Sequence, residues 1–309
     1  MRERLISLIK KNDYLFWVIK YIRLKLLMFF GKWISDEKYL RIQYKHRTGK
    51  ELKLDPPILY NEKMQYFKLH CHDEIYHKLS DKYEVRAWVE EKIGPQCLTQ
   101  IYGVYDNLDE VPFDSLPDKF AMKLTNGSGF NYICTGKTPK EIRKIKRRFR
   151  MWMKLDFYML GREWIYKGIP NRILIEEYLD SRSEYGLIDY KVFCFDGEPK
   201  MIQVDYARYT DHQRNLYTPE WEFIDETMAY RNNESARIPR PPLLEKMLEY
   251  ARTLSEGFQQ VRVDFYTYDD RLIFGEMTFS HGAGYLKFSS EEFERKMGDW
   301  WNLCADTSC

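Results

Sequence analysis

The sequence predicts an α+β fold, in which antiparallel strand pairs alternate with amphipathic helices along the chain. Apolar runs with a period of two fold back on themselves at 116–134, 189–208 and 261–284, each through a polar or glycine-containing turn. Amphipathic helices are predicted at 56–77, 80–94, 138–158 and 242–258, and a polar linker is predicted at 209–242. With 309 residues, the chain is long enough for two or three packed lobes.

Composition and charge exclude several classes of protein. The 49 Lys and Arg residues balance 47 Asp and Glu residues, which argues against a dedicated nucleic-acid-binding protein. The six cysteines are scattered and form no CxxC pair, so we expect a reduced, cytoplasmic protein. Neither a secretory signal nor a membrane span is predicted, because charged residues interrupt the N-terminal apolar segment.

The strand pair at 261–284 carries the clearest candidate site. If its turn lies at the central pair of aspartates, Asp264 and Glu276 face one another from opposite strands. Two facing carboxylates repel each other unless a cation lies between them, and hard oxygen ligands suit Mg²⁺ that holds phosphates. Thr278 adds an oxygen on the same face, and Arg262 places a cation beside it. An ordinary exposed hairpin with scattered charges is the alternative.

A glycine-containing loop and two lysines form a candidate phosphate site. The loop consists of Asn126, Gly127, Ser128 and Gly129. It is too short for a Walker A loop, but its amides suit a hairpin tip that closes over phosphates, with Lys123 below as a point charge. Lys82 falls in the first turn of the helix at 80–94, where the helix dipole disfavours a cation unless an external anion is present. A plain hairpin turn is the alternative for the loop.

Two further segments carry candidate site residues. Residues 171–180 predict a strand that ends in two acids, at a point where the chain crosses between lobes. We expect its backbone groups to bind adenine, and Glu176 or Glu177 to bind the exocyclic amine or the ribose. The strand pair at 189–208 places Lys191 on the face opposite to its apolar neighbour.

The N-terminal segment 3–33 combines aliphatic and aromatic residues with a basic face and contains only two acids. This pattern fits a helix lying in a membrane interface, and packing against the domain or a second subunit is the alternative. The helix at 138–158 carries a run of basic residues, which is typical of a solvated face but can also contact an anionic glycan or lipid.

Taken in order, these motifs resemble the TupA-like ATP-grasp family of polysaccharide and teichuronopeptide biosynthesis. The resemblance covers about 58–298 and is carried by NEKMQYFKL, SDKYEVRAWV, KFAMKLTNGSGFNYIC, ILIEEYL, DYKVFCFDG, VRVDFY and FGEMTFSHGAG. It implies an ATP-grasp fold with two α+β lobes clamping ATP, preceded by an N-terminal helical extension. The expected segments are the helical extension at 1–50, an α/β lobe at 51–115, a small lobe with the glycine loop at 116–180 and a C-terminal lobe with the metal site at 181–309.

The resemblance also implies roles for individual residues. The expected ATP-binding residues are Lys82, Lys123, Asn126, Gly127, Ser128, Gly129, Glu176, Glu177 and Leu179. The expected catalytic residues are Arg262, Lys123 and Lys191, and the expected Mg²⁺ ligands are Asp264, Glu276 and Thr278. Many ATP-grasp ligases carry Asn where Thr278 stands, but a neutral hydroxyl can still ligate Mg²⁺. We expect Arg262 to stabilise the oxyanion of a tetrahedral intermediate.

The implied reaction is the ATP-dependent joining of a carboxylate to an amine through an acyl phosphate. The expected substrates are a uronic-acid carboxylate and an amino acid or amine in capsule or exopolysaccharide assembly, with residues 3–33 holding the protein at the inner membrane face. The alternatives are an ATP-grasp kinase acting on a glycan hydroxyl, a glycosyltransferase, and a non-catalytic subunit of a polysaccharide assembly system. No DxD-type nucleotide-sugar motif supports a glycosyltransferase, and a non-catalytic subunit needs no metal carboxylates.

Overall fold

The computed structural model of the protein describes residues 13–180, 187–206, 212–236 and 238–303. Its helices are α1 (Asp13–Gly31), α2 (Asp36–Thr48), α3 (Tyr60–His70), α4 (Ile75–Ser80), α5 (Val85–Ile93), α6 (Pro139–Trp152), α7 (Phe157–Gly161), α8 (Leu244–Ser255) and α9 (Glu291–Asp299). Its strands are β1 (Ile101–Tyr105), β2 (Phe120–Leu124), β3 (Asn131–Cys134), β4 (Ile173–Glu177), β5 (Asp189–Phe195), β6 (Glu198–Tyr206), β7 (Gln213–Tyr217), β8 (Phe223–Ile224), β9 (Gln260–Tyr268) and β10 (Arg271–Thr278).

The chain divides into two compact units, each assembled from stretches that are not adjacent in sequence. The small unit contains the described residues of 1–39 and 100–178, and the large unit contains those of 40–99 and 179–309. The sequence instead led us to expect four consecutive segments, and that division into domains remains a prediction.

The small unit is built on a four-stranded antiparallel sheet in the order β1-β4-β2-β3. Helix α6 packs on this sheet through Ile145, Phe149 and Trp152, which are all buried. Thr138 is the N-cap of this helix, because its hydroxyl accepts a hydrogen bond from the Glu141 amide at 3.2 Å. The Glu141 carboxylate accepts a hydrogen bond from the Tyr132 hydroxyl.

Helix α1 covers part of the small unit's core. Trp17, Tyr21, Leu24 and Met28 are half-buried against the core of the small unit. The helical part of the predicted interfacial segment therefore packs on the protein through one face, and residues 3–12 lie outside the described residues. No helix among the described residues is both long and apolar enough to cross a membrane.

The large unit is built on a six-stranded antiparallel sheet in the order β10-β9-β5-β6-β7-β8. Val192, Val204, Val263 and Phe265 are buried on one face of this sheet, against which helix α8 packs. The other face carries the candidate site. Two of the strands, β7 and β8, lie within 209–242, which its polar composition suggested was a linker.

Two predicted helices differ from the structure near Lys82. The predicted helix at 56–77 is interrupted, since α3 ends at His70 and α4 begins at Ile75. The predicted helix at 80–94 begins five residues late, because the Asp81 carboxylate accepts hydrogen bonds from the Tyr83 and Glu84 amides in a preceding turn. Lys82 therefore lies in that turn, and the prediction that it occupies the first turn of a helix is wrong.

The small unit's core predicts a large effect of truncating Phe149. Its ring is fully buried, with its centroid 5.0 Å from that of Trp152. We expect Phe149→Ala to lower the free energy of unfolding by about 3–5 kcal/mol, because the surrounding side chains cannot fill the cavity that the truncation leaves. Arg143→Ala, at an exposed position of the same helix, should change it by less than about 0.5 kcal/mol. Urea denaturation of both variants tests this, and equal effects would contradict the packing described.

Candidate functional site

The predicted metal residues face one another on β9 and β10, as the sequence suggested. Asp264 is paired with Glu276, and Arg262 is paired with Thr278. A bulge at Gly275 makes the first pairing possible, because the register shifts between Phe274 and Glu276. A Cβ atom on Gly275 would lie 3.1 Å from the Asp264 carbonyl oxygen, so glycine suits this close approach.

A single guanidinium holds the two carboxylates together. Arg262 Nε donates to Asp264 Oδ1 at 2.6 Å, and Nη2 donates to Asp264 Oδ2 at 2.7 Å. The same Nη2 lies 3.0 Å from Glu276 Oε1 and 3.0 Å from Thr278 Oγ1. The repulsion between the carboxylates, from which the sequence predicted a metal, is therefore already reduced by a side chain of the same strand.

A lysine from the neighbouring strand adds a second cation. Lys191 on β5 is paired with Asp264 on β9, and its ammonium lies 2.5 Å from Asp264 Oδ2. It also lies 2.6 Å from Asp189 Oδ2, a carboxylate that the sequence did not single out. The side chains of Lys191, Asp189 and Asp264 are 7%, 1% and 2% exposed, so this ion-pair group is shielded from water.

The two carboxylates differ in their electrostatics. Burial raises the pKa of Asp264 to about 6, although Arg262 and Lys191 act to lower it. Burial also disfavours the charge of Glu276, but Lys82, Arg262 and Lys191 outweigh this effect and lower its pKa to about 2. The Glu276 side chain is 36% exposed, whereas Asp264 is 2% exposed. Glu276 is therefore an ionised carboxylate that solvent reaches.

The charged face continues across β5, β6 and β7. Asp205 is paired with Asp189 on one side and with Arg214 on the other. Arg214 forms a bidentate ion pair with Asp205, at 2.7 Å from Nε and 3.1 Å from Nη2. Gln203 Nε2 donates to the same carboxylate at 2.9 Å. The signal for Gln203 and Asp205 was their spacing of two along the second half of β6, which is otherwise apolar. Arg214 lies between two polar residues of β7 and gave no such signal.

The loop after β10 adds polar groups near this face. His281 is 4% exposed, and its ring centroid lies 4.8 Å from that of Phe193, which is paired with Arg262. Burial, together with the nearby cations, lowers the pKa of His281 well below its usual value, so the imidazole is neutral at pH 7. Within the described part of the chain, His281 Nδ1, Ser280 Oγ and Gln203 Oε1 are buried without a hydrogen-bond partner.

The small unit brings together part of the predicted nucleotide site. The Lys123 ammonium forms an ion pair with Glu176, whose side chain is 9% exposed. The Glu177 carboxylate accepts a hydrogen bond at 3.0 Å from the backbone amide of Gln100, the residue directly before β1. In the loop, Gly127 and Gly129 adopt φ values of +70° and +80°, which favour glycine.

The predicted site residues are divided between the two units. The small unit contains Lys123, Asn126, Gly127, Ser128, Gly129, Glu176 and Glu177. The large unit contains Lys82, Leu179, Lys191, Arg262, Asp264, Glu276 and Thr278. The glycine loop is anchored by Asn126, whose Nδ2 donates to the Ile169 carbonyl at 3.0 Å.

The donor set on β9 and β10 fits Mg²⁺ held jointly with phosphates. Among the described residues, no group of three or more His, Cys, Asp or Glu side chains is arranged to hold a metal ion. Two carboxylates and a hydroxyl are nevertheless hard oxygen donors, and Mg²⁺ is commonly held by one or two carboxylates with water and phosphate oxygens completing its octahedron. The exposed part of Glu276 gives such an ion a route of entry.

Comparison with known proteins identifies the family. The model of the TupA-like ATP-grasp family matches residues 62–302. The chain belongs to this family. The match confirms the predicted family and its ATP-grasp fold, and it leaves α1 and α2 outside, as the sequence suggested. A search of curated proteins found no match to this TupA-like ATP-grasp chain.

Several solved structures are similar to this TupA-like ATP-grasp protein. D-alanine–D-alanine ligase from Bacillus anthracis is 14% identical, with a TM-score of 0.39, over 70% of this chain and 58% of that one. The ATP-grasp ligase PsnB, in a complex with a phosphomimetic precursor variant, Mg and ADP, is 10% identical, with a TM-score of 0.42, over 77% and 63%. N5-carboxyaminoimidazole ribonucleotide synthetase from Thermotoga maritima is 10% identical, with a TM-score of 0.36, over 70% and 48%. The chain spans less than two thirds of each of these proteins.

The buried ion-pair group predicts a large effect of neutralising Lys191. We expect Lys191→Met to lower the free energy of unfolding by about 3–5 kcal/mol, because it leaves two buried carboxylates without their shared ammonium. Lys200→Met is the matched control, since Lys200 is exposed on the partner strand β6 and should contribute less than about 0.5 kcal/mol. Chemical denaturation of both variants measures the difference. A wild-type free energy of unfolding for Lys191→Met would show that this ammonium does not compensate the buried carboxylates.

Proposed function

We propose that the protein is an ATP-dependent ligase that joins a carboxylate to an amine through an acyl phosphate. The observation that carries this proposal is the group formed by Arg262, Asp264 and Glu276 in an ATP-grasp chain. Two carboxylates fixed at adjacent strand positions suit a metal ion, and the guanidinium between them suits a developing anion.

Asp264, Glu276 and Thr278 are the residues that would hold Mg²⁺ in this proposal. When bound, the ion supplies positive charge that neutralises the phosphates of ATP during phosphoryl transfer. Solvent reaches Glu276, whereas Asp264 is buried and is held in place by ion pairs with Arg262 and Lys191. Lys191 and Arg262 thereby orient the buried ligand before any substrate binds.

Arg262 is proposed to stabilise the oxyanion that forms when the amine attacks the acyl phosphate. Its Nε and Nη2 atoms contact Asp264, Glu276 and Thr278. Its remaining terminal nitrogen, Nη1, has no hydrogen-bond partner among the described residues and can donate to an anion. The carboxylates around it keep the guanidinium charged and fixed in orientation, so little reorganisation accompanies the reaction.

The small unit is proposed to bind the nucleotide. Lys123 would contact the phosphates beneath the amides of the loop at 126–129, and Glu176 would position the Lys123 ammonium through their ion pair. Glu177 and the backbone that leads to Leu179 would bind adenine and ribose. Lys82, which lowers the pKa of Glu276, is proposed to contact phosphates from the large unit.

The substrates are proposed to be a uronic-acid carboxylate and an amino acid or amine, on the strength of the resemblance of the chain's motifs to the TupA-like family. Ser280 Oγ, His281 Nδ1 and Gln203 Oε1 supply polar atoms without partners among the described residues. Such buried atoms are satisfied when a ligand or water binds them. Because His281 is neutral at pH 7, its imidazole can accept a hydrogen bond from an ammonium or hydroxyl group of a substrate.

Product analysis tests the proposal. The protein is incubated with Mg-ATP, pooled uronic acids and pooled amino acids, and the products are separated and identified by mass spectrometry. The proposal expects an amide whose mass equals that of the acid plus the amine minus water, formed together with ADP. A phosphorylated sugar without an amide would instead identify a kinase, and a glycoside would identify a glycosyltransferase.

Neutralising either metal carboxylate should abolish turnover. Asp264→Asn and Glu276→Gln keep the shape of the side chain but remove the charge that Mg²⁺ needs, so we expect activity to fall by at least about a hundredfold. Asp270→Asn is the matched control, since this exposed aspartate lies in the turn between the same two strands. Initial rates of ADP release measure the effect. Wild-type rates in either site variant would place the metal elsewhere.

Removing the Lys123 ammonium should weaken ATP binding and slow phosphoryl transfer. We expect Lys123→Ala to raise the KM for ATP and to lower kcat, with only partial recovery in Lys123→Arg because a guanidinium is planar and larger. Lys140→Ala, at an exposed position of the same unit, serves as the control. Steady-state kinetics with varied ATP measure both constants. If neither constant changes in Lys123→Ala, the phosphates bind at another place.

A further inference from the structure

The face of α1 that points away from the small unit's core is an exposed apolar stripe. We define the apolar stripe as Leu15, Ile19, Ile22, Leu26, Phe29, Phe30 and Trp33, whose exposed fractions range from 41% to 67%. The spacing of three and four residues from Leu15 to Phe29 places these residues along one side of the helix, with Phe30 beside them and Trp33 in the turn that follows. The opposite side, with Trp17 and Tyr21, packs on the core, so the helix is held in place while the stripe stays in contact with solvent.

Helix α6 carries an exposed basic stripe next to α1. We define the basic stripe as Arg143, Arg147 and Arg150 on α6 together with Lys154 in the turn that follows it; all four are exposed and are spaced four, three and four residues apart. The Arg147 guanidinium lies 5.3 Å from the ring centroid of Tyr14, and the Arg148 guanidinium lies 5.2 Å from that of Trp17. These contacts place the two helices side by side in one unit, although they are more than 100 residues apart in sequence.

The charges on α1 have the same sign as the basic stripe. Residues 14–35 contain no Asp or Glu, whereas Lys20, Arg23, Lys25 and Lys32 are basic. On α6, Arg150 shares an ion pair with Asp109 at 3.5 Å, and both side chains are more than half exposed. Such an exposed pair offsets little of the positive charge, so the surface around the apolar stripe is basic.

We propose that the apolar stripe and the basic stripe form one docking surface for an anionic lipid bilayer. The apolar side chains would enter the region between headgroups and acyl chains, and the basic side chains would contact anionic headgroups. Phe29, Phe30 and Trp33 lie together at one end of the stripe, with ring centroids 4.8 to 5.4 Å apart, and clustered aromatic rings favour the membrane–water interface. The surface belongs to the small unit and does not depend on the proposed reaction.

The spacing of the apolar stripe also suggests another candidate partner for this surface, a second copy of the chain. Six of its residues follow a spacing of four and three, which is also the pattern of a seam between two paired helices. Pairing two copies through this face would bring basic flanks against basic flanks, since α1 offers no acid between residues 14 and 31. Charge complementarity therefore favours an anionic lipid surface.

Binding of the full chain to vesicles tests this proposal. The vesicles contain either phosphatidylcholine alone or a mixture with phosphatidylglycerol, at low and at high salt. We expect binding to the anionic vesicles only, and weaker binding at high salt because surface charges are screened. The double variant Arg143→Glu with Arg147→Glu should lower the partition coefficient by about tenfold or more. The double variant Lys53→Glu with Lys200→Glu, at exposed positions of the large unit, makes the same change in net charge and should bind as the wild type does.

A second variant tests the apolar contribution. Ile22→Asp with Leu26→Asp replaces two half-exposed side chains and should abolish vesicle binding while thermal unfolding stays near that of the wild type. Failure of the wild-type chain to bind anionic vesicles would overturn the proposal. Equal losses in the basic-stripe and Lys53/Lys200 variants would also overturn it. A concentration-dependent dimer that Ile22→Asp with Leu26→Asp dissociates, in a chain that ignores vesicles, would assign the stripe to a second copy.

Discussion

The large unit depends on compensation of charge on one buried face of its sheet. Ionised groups can be buried only where opposite charges and hydrogen bonds replace the water they lose. Arg262 compensates the charges of Asp264 and Glu276 on β9 and β10. Lys191 on β5 compensates Asp264 as well, and Arg214 on β7 compensates Asp205. The ion pairs on this face involve three cations (Arg262, Lys191, Arg214) and four carboxylates (Asp189, Asp205, Asp264, Glu276). Lys82 adds a further positive charge near Glu276, whose pKa it lowers.

The same compensation sets the properties of the proposed metal ligands. Asp264 is held by two cations and lies behind the surface, so its orientation does not depend on a ligand. Glu276 contacts the same guanidinium but is reached by solvent, and its lowered pKa keeps it ionised. In the proposed function, such a site would meet an incoming Mg-nucleotide with its ligands already oriented, and phosphoryl transfer requires this preorganisation of a protein.

The sequence predicted the facing carboxylates correctly, but regular pairing from the turn would have placed Gly275 opposite Asp264. The bulge at Gly275 moves Glu276 onto the polar face, and a bulge follows from local backbone geometry that periodicity does not reveal. Arg214 was missed because the polar segment after β6 was interpreted as a linker, whereas Arg214 forms a buried ion pair with Asp205. Lys82 was misplaced because a carboxylate that caps a turn resembles one that caps a helix.

The central claim is that this charged face activates a carboxylate with ATP, and trapping of the activated acid tests it most directly. The protein is incubated with Mg-ATP, pooled uronic acids and hydroxylamine, and hydroxamate and ADP are measured together. The account predicts that hydroxamate forms only when the acid is present, in equal amounts with ADP, and that Asp264→Asn forms neither. Phosphate transfer to a sugar hydroxyl without hydroxamate, or hydroxamate formation by Asp264→Asn at the wild-type rate, would contradict it.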